Sequence, residues 1–328
     1  MSVSATPFPV TSWGFWRAYG VTLRPYLLFV SGVSGLLGLA LGDTLHGLPL
    51  AVAAVPFFIS YGLGQAITDT FQTDTDALSS PFRPLVRGEI ARGPVLALSL
   101  GGLLLIALLY AFLNPWTLMP AALAVAGVVL YTPFKRHWWG GPPWNSWIVA
   151  TLPLLGVLLG GGTPAEALAR PETWLAMGSV YFSYAVFVLL GYFKDVEADR
   201  ATGYDTIVVH FGRRLTLRVS ALHAVLALVC SVALVRIGLD ATPPGWAGLV
   251  GGGLWLGGAV ALAVAHVRIA GTIRDAEAHP AVALVVVGYV ALHLGEATLL
   301  RPGFGIAAAL VFPLCLLMLA RRPEKTQV

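Results

Sequence analysis

The sequence predicts an all-α polytopic membrane protein, with about nine to ten transmembrane helices around a central cavity. Three observations predict it. Of 328 residues, 57% are hydrophobic and only 11% charged, with a mean hydropathy of +0.79, well outside soluble composition. Apolar runs near the ~20 residues needed to cross ~30 Å of hydrocarbon recur from end to end. The basic residues, finally, collect in alternate loops, as Lys and Arg do on the cytoplasmic side of a membrane.

Taken in order, the first 25 residues include Trp13, Phe15, Trp16 and Arg17. They lack a signal peptide's ordered basic region, apolar core and small-residue cleavage site, and predict an interfacial anchor. Spans follow near Tyr26 to Leu41, Leu48 to Asp69, Val95 to Leu113, Trp116 to Thr132 and Trp147 to Gly162. Five more lie near Trp174 to Lys194, Leu215 to Gly238, Trp246 to Val267, Ala281 to Leu299 and Gly303 to Leu319. With the N-terminus inside, only Arg170, Arg236 and Arg301 of the 20 Lys and Arg fall on the outer side. That split favours ten spans; nine would strand Arg321, Arg322 and Lys325 outside. The cell membrane is the expected location, with the N-terminus and the loops after the acidic segments cytoplasmic.

No polar stretch is long enough for a separate soluble domain, so residues 1–328 read as one transmembrane domain. The net charge of +4 needs only anionic lipid headgroups as its counterpart, and no nucleic-acid-binding pattern is present. Cys230 and Cys315 form no spaced pair, which excludes a disulfide framework and a zinc site. The runs Gly160–Gly162 and Gly251–Gly253 match no nucleotide fingerprint and point to close helix packing.

Two acidic segments close apolar runs: Asp69-Thr-Phe-Gln72-Thr-Asp74-Thr-Asp76 and Asp195-Val-Glu197-Ala-Asp199. Carboxylates at a membrane boundary are costly unless they bind something. The segments echo each other at an offset of 123 residues, which sets Ser60-Tyr61 against Ser183-Tyr184, Asp69 against Tyr192, Gln72 against Asp195, Asp74 against Glu197 and Asp76 against Asp199. Internal repeats in membrane proteins often place a site at their interface. On a continuous helix, Asp69, Gln72 and Asp76 share one face, as do Tyr192, Asp195 and Asp199, with Asp74 and Glu197 turned away.

Oxygen ligands presented by two helix ends suit Mg²⁺, which binds through one or two carboxylates plus phosphate oxygens and water. Arg83, Arg87, Lys135, Arg136, Lys194, Arg200, Arg213 and Arg214 lie nearby in sequence, and such cations match a diphosphate. The same residues also satisfy the positive-inside bias, so composition alone leaves both readings open.

The literal strings are more specific. Asp69-x-x-Gln72-x-x-x-Asp76, running into Arg83-Pro-Leu-Val-Arg-Gly88, resembles the first motif of the UbiA superfamily of intramembrane prenyltransferases. Asp195-Val-Glu-Ala-Asp199-Arg-Ala-Thr-Gly203-Tyr-Asp-Thr206 resembles the second, and Tyr131-Thr-Pro-Phe-Lys135-Arg136 with Asn145 is similar to the loop after the family's fourth helix. The resemblance implies that Asp69, Asp76, Asp195 and Asp199 hold Mg²⁺ against a prenyl diphosphate donor. It implies that Arg83, Lys135, Arg136 and Arg200 neutralise the diphosphate, and that a prenyl group passes to a lipophilic acceptor within the bilayer. Gln72, Asp74, Tyr131, Asn145, Tyr192 and Glu197 are supporting candidates. Phe71, Tyr61, Tyr184 and Tyr192 offer ring faces to an allylic cation, or simply pack.

The chain departs from the pattern at Thr68, where Asn is usual, at Gln72, where an Asp is expected, and at Tyr192, which replaces an acid found in some members. These changes keep open a terpene cyclase of the same superfamily, acting on a prenyl diphosphate without an acceptor. A transporter would instead predict acids near mid-bilayer. His293 and Glu296, at i and i+3, suit a hydrogen-bonded pair, with Arg301 a further partner for Glu296; an intramembrane proton site is the alternative. His223 is a candidate acceptor-orienting base.

Overall fold

The computed structural model of the protein describes residues 6–42, 44–239 and 245–322, and among them the regular elements are helices. Lys325, part of the predicted inner tail, lies outside the described residues. Nine helical stretches among them are long and apolar enough to cross a membrane. The tenth predicted span is α14 (Phe304–Ala320), 17 residues of apolar helix, about 25 Å at ~1.5 Å per residue.

The chain begins with α1 (Trp13–Thr22), capped by Ser12, whose hydroxyl accepts from the Phe15 N–H at 3.2 Å. Phe15 is fully buried while Trp13 is 80% exposed, so the helix packs on one face and is open on the other. The break before α2 (Leu28–Ala40) falls at Arg24-Pro25. Proline disfavours right-handed helical geometry in the residue before it, and Arg24 adopts φ 49°, ψ 67°.

Next come α3 (Gly47–Phe71), α4 (Thr73–Ser79), α5 (Arg92–Leu113), α6 (Leu118–Lys135), α7 (Gly141–Leu159), α8 (Pro164–Ala169), α9 (Pro171–Gly191) and α10 (Val196–Ala201). The chain closes with α11 (Ile207–Gly238), α12 (Gly245–Ala270), α13 (His279–Leu300) and α14. The α2, α7 and α13 spans are largely buried, whereas α5, α11 and α12 are largely exposed. Leu105, Phe112, Val225 and Leu249 stand on those outer helices, as lipid-facing side chains do.

Small residues set the closest crossing. A Cβ on Gly38 would lie 2.1 Å from the Pro153 carbonyl oxygen, and one on Gly156 would lie 2.6 Å from that of Gly35, so α2 and α7 meet backbone to backbone. Of the glycine runs, Gly251 packs against Leu299 and Gly295, while Gly252 and Gly253 face open space. Gly160–Gly162 is not a packing run: it ends α7, with Gly161 and Gly162 at positive φ in the turn.

Neither acidic segment is one continuous helix. α3 stops at Phe71 and α4 restarts at Thr73, while α9 passes through a 3₁₀ turn (Tyr192–Lys194) and α10 restarts at Val196. The residues at the two breaks are Gln72 (φ −119°, ψ 20°) and Asp195 (φ −122°, ψ 12°). A shared straight-helix face therefore does not bring the acids together; two matching breaks do.

Candidate functional site

α3, α6 and α9 end at the same end of the bundle, around a cavity of about 220 Å³. Its polar end is lined by Arg24, Gln65, Asp69, Gln72, Asp76, Arg83, Lys135, Lys194 and Asp195. Its other walls are Leu27, Leu103, Val125, Val128, Ile148, Leu152 and Val282, with Tyr61, Tyr131, Tyr184, Phe187 and Tyr192 between. The shape joins charge at one end to a hydrocarbon-like interior at the other.

The first acidic segment is held by arginines. Arg24 Nη2 donates to both Asp69 oxygens, at 2.7 and 2.8 Å, a charge-assisted contact forked from one guanidinium nitrogen. Gln65 Nε2 donates to Asp69 Oδ1 at 2.9 Å. Arg83 pairs with Asp76 and lies 3.6 Å from Asp69, and its Nε is buried with no hydrogen-bond partner. Gly88 closes the Arg83–Gly88 turn at φ 72°, while the Glu89 N–H donates to the Pro84 carbonyl at 2.9 Å. The turn thus fixes where Arg83 leaves the backbone.

The second segment is held by lysines. Lys194 Nζ donates to Asp195 Oδ2 at 2.9 Å, and Lys135 Nζ lies 3.6 Å from Asp199 Oδ1. Asp199 is fully buried and accepts from Thr75 at 3.3 Å and Thr206 at 3.4 Å. Thr75 belongs to α4, so this carboxylate joins the two acidic segments. Gln72 sits at the same junction, donating to Thr132 at 3.3 Å and accepting from Lys135 at 3.1 Å.

Burial raises the Asp195 carboxyl, but Lys194, Lys135 and Arg83 outweigh it and hold the group below the usual carboxylate range. Burial keeps Asp199 above that range despite Lys135. Asp76 is likewise raised by burial against the pull of Arg83. The acids of the site are therefore not equivalent.

Of the predicted residues, Asp69, Asp76, Asp195, Arg83, Lys135, Gln72, Tyr131, Asn145 and Tyr192 line the cavity. Asp199 lies behind the wall. Asp74 is outside, in an exposed pair with Arg136 at 2.8 Å and accepting from Tyr204 at 3.2 Å. Arg200 and Glu197 are exposed, as is Phe71, at 42%. The structure adds Arg24, Gln65 and Phe187, and it puts Lys194, one of the nearby cations, in the cavity lining as well. Arg24 precedes the first span and reads in sequence only as a loop cation; its position before Pro25 was the available signal.

The other candidates lie apart. His293 and Glu296 are fully buried and bonded Nδ1 to Oε2 at 2.6 Å, with Ser183 at 2.9 Å from His293 and Ser179 donating to Glu296 at 2.7 Å. Arg301 donates to the carbonyls of Gly42 and Leu45. His223 bonds the Val219 carbonyl at 2.8 Å and meets the Phe182 ring.

No group of three or more His, Cys, Asp or Glu among the described residues is placed to hold a metal ion by itself. Mg²⁺ asks for less when phosphate oxygens complete its shell. Asp69, Asp76 and Asp195, at the polar end of the cavity, fit an ion shared with a diphosphate, and the unpartnered Arg83 Nε fits a phosphate oxygen.

A ring of membrane helices around a cavity charged at one end defines an integral membrane enzyme for amphiphilic substrates. The chain belongs to the UbiA prenyltransferase family, whose model matches residues 27–274. It is 29% identical to the digeranylgeranylglyceryl phosphate synthase of Thermococcus kodakarensis over 235 residues, 68% of this chain and 79% of that protein. It is 30% identical to the Halobacterium salinarum protein of the same name over 218 residues, 63% and 74% of the two chains. Among solved structures, a UbiA homolog from Aeropyrum pernix K1, in its apo form, superposes with a TM-score of 0.66 at 20% identity, covering 83% of this chain and 96% of that one. A UbiA homolog from Archaeoglobus fulgidus bound to GPP and Mg²⁺ gives 0.62 at 17%, covering 86% and 99%.

Proposed function

We propose that the cavity binds a prenyl diphosphate with its diphosphate among Asp69, Asp76, Arg83, Lys135 and Asp195 and its chain along the apolar walls, and transfers the prenyl group to a lipophilic acceptor. The observation that carries this is one continuous cavity with paired acids and cations at one end and aliphatic walls at the other. The acid-bearing end is the cytoplasmic one on the positive-inside bias, which places the N-terminus inside as well.

Asp69, Asp76 and Asp195 would hold Mg²⁺ together with diphosphate oxygens, with Asp199 fixing Lys135 behind them. Bound there, the ion would supply Lewis-acid stabilisation of the leaving group. Arg83 and Lys135, preorganised by buried carboxylates, neutralise charge as it develops on the departing diphosphate. The allylic carbon is left in a water-poor chamber, where the faces of Tyr61, Tyr184 and Phe187 stabilise positive charge. The acceptor's nucleophilic atom then attacks that carbon, and its proton passes to the released diphosphate. Arg136 and Arg200 serve the rim, where they meet the donor before the cavity does.

The relatives named as digeranylgeranylglyceryl phosphate synthases make a prenylglyceryl phosphate acceptor the first to assay. Protein in nanodiscs, given a prenyl diphosphate, Mg²⁺ and that acceptor, is expected to yield prenylated acceptor by mass spectrometry. A cyclised hydrocarbon or alcohol, formed equally without acceptor, would establish the cyclase instead.

A further inference from the structure

We infer that this chain holds its donor with a single divalent ion, the Lys135 ammonium standing in the place of a second. The inference rests on the diphosphate reading above and deepens it. An acid motif at each helix end implies a metal at each end, yet the chain is neutral at two motif positions, Gln72 and Tyr192. Both neutral residues face one cation: Lys135 Nζ is 3.1 Å from Gln72 Oε1 and 5.8 Å from the Tyr192 ring centroid. Neither side chain offers a carboxylate to a second ion, and both instead meet the Lys135 ammonium.

The remaining acids are already matched. Asp69 has Arg24, Asp76 has Arg83, Asp195 has Lys194 and Asp199 has Lys135. These cations are largely withdrawn from solvent, with Lys135 8% and Lys194 13% accessible. Like charges close together are poorly screened in such a setting. A second dication at the Asp195 end would meet two ammonium groups with only two carboxylates to offset them. One ion, shared between the donor and Asp69 and Asp76, sits away from those two ammonium groups, which meet the diphosphate directly at the other end.

The test counts ions, not turnovers. Mn²⁺ is titrated against wild-type protein in nanodiscs saturated with geranyl S-thiolodiphosphate, a donor analogue that resists ionisation, and free Mn²⁺ is read by electron paramagnetic resonance. One tightly bound Mn²⁺ per chain is expected, rising to two in the Gln72→Asp/Tyr192→Asp double variant. Two tight ions in the wild type overturn the inference, even where the double variant fails to fold. So does a folded double variant that still binds one. An analogue that is not retained under any condition overturns the diphosphate reading itself.

Discussion

Gln72 and Asp195 stand 123 residues apart and break their helices with nearly the same backbone geometry, φ −119°, ψ 20° and φ −122°, ψ 12°. Asp69 and Asp76 flank the first break and Asp195 stands at the second, all three at the polar end of the cavity, and Asp199, accepting from Thr75, ties the two segments together. The site is thus a pair of repeated helix interruptions facing one another. Its two halves carry different chemistry because only one kept its acid at the break.

Arg24 is the one described non-glycine residue at positive φ, a conformation that costs about 1–2 kcal/mol for an L-residue and here brings Nη2 onto both Asp69 oxygens. Arg24→Ala is expected to reduce kcat/KM by about 10²-fold, in the range for loss of one preorganised electrostatic contact. Arg24→Gly, which relieves the backbone, should be more thermally stable than Arg24→Ala yet equally impaired. Steady-state kinetics and thermal unfolding of the two variants check this.

Lys135 and Arg136 are neighbours in sequence with opposite settings. Lys135 lines the cavity, whereas Arg136 is 45% exposed in a pair with Asp74, and exposed pairs contribute about 0–1 kcal/mol. Lys135→Ala should lower activity by at least about 10²-fold, while Arg136→Ala stays within a few-fold. Parallel assays of both at saturating donor make the comparison.

The His293–Glu296 pair is expected to be structural. Glu296→Ala leaves Ser179 and His293 without their buried partner and should cost about 1–3 kcal/mol of stability, lowering the melting temperature in detergent. The activity per folded molecule should be unchanged, because neither residue lines the cavity.

At the α2–α7 crossing, Gly38→Leu would drive side-chain atoms into the Pro153 backbone. Overpacking of this kind typically costs about 1–3 kcal/mol or more. Lower yield of monodisperse protein on size-exclusion chromatography is the expected result, against near-normal yield for Gly253→Leu, where the structure is open.

Much of this was legible in the chain. Hydropathy placed all ten apolar helices, and the acidic strings located the polar end of the cavity, because both are properties of consecutive residues. The breaks at Gln72 and Asp195 were not legible, since neither residue is Gly or Pro and only the 123-residue echo marks them. Arg24 is indistinguishable in sequence from an ordinary loop cation, because its contact with Asp69 arises only when the turn before α2 meets the end of α3. Arg136 and Arg200 were read with the site because they adjoin motif residues, yet a helix end turns one neighbour inward and the next out. Phe187 carries no signal at all: one aromatic among many on α9 reaches the cavity by rotation of the helix alone.

The most direct measurement is diphosphate release from a prenyl diphosphate by purified protein with Mg²⁺ and acceptor, comparing wild type with Asp195→Ala. Release by the wild type, reduced by about 10²-fold or more in Asp195→Ala, is the predicted result. Equal release by the two proteins, or none by the wild type with donors from five to twenty carbons, would contradict it.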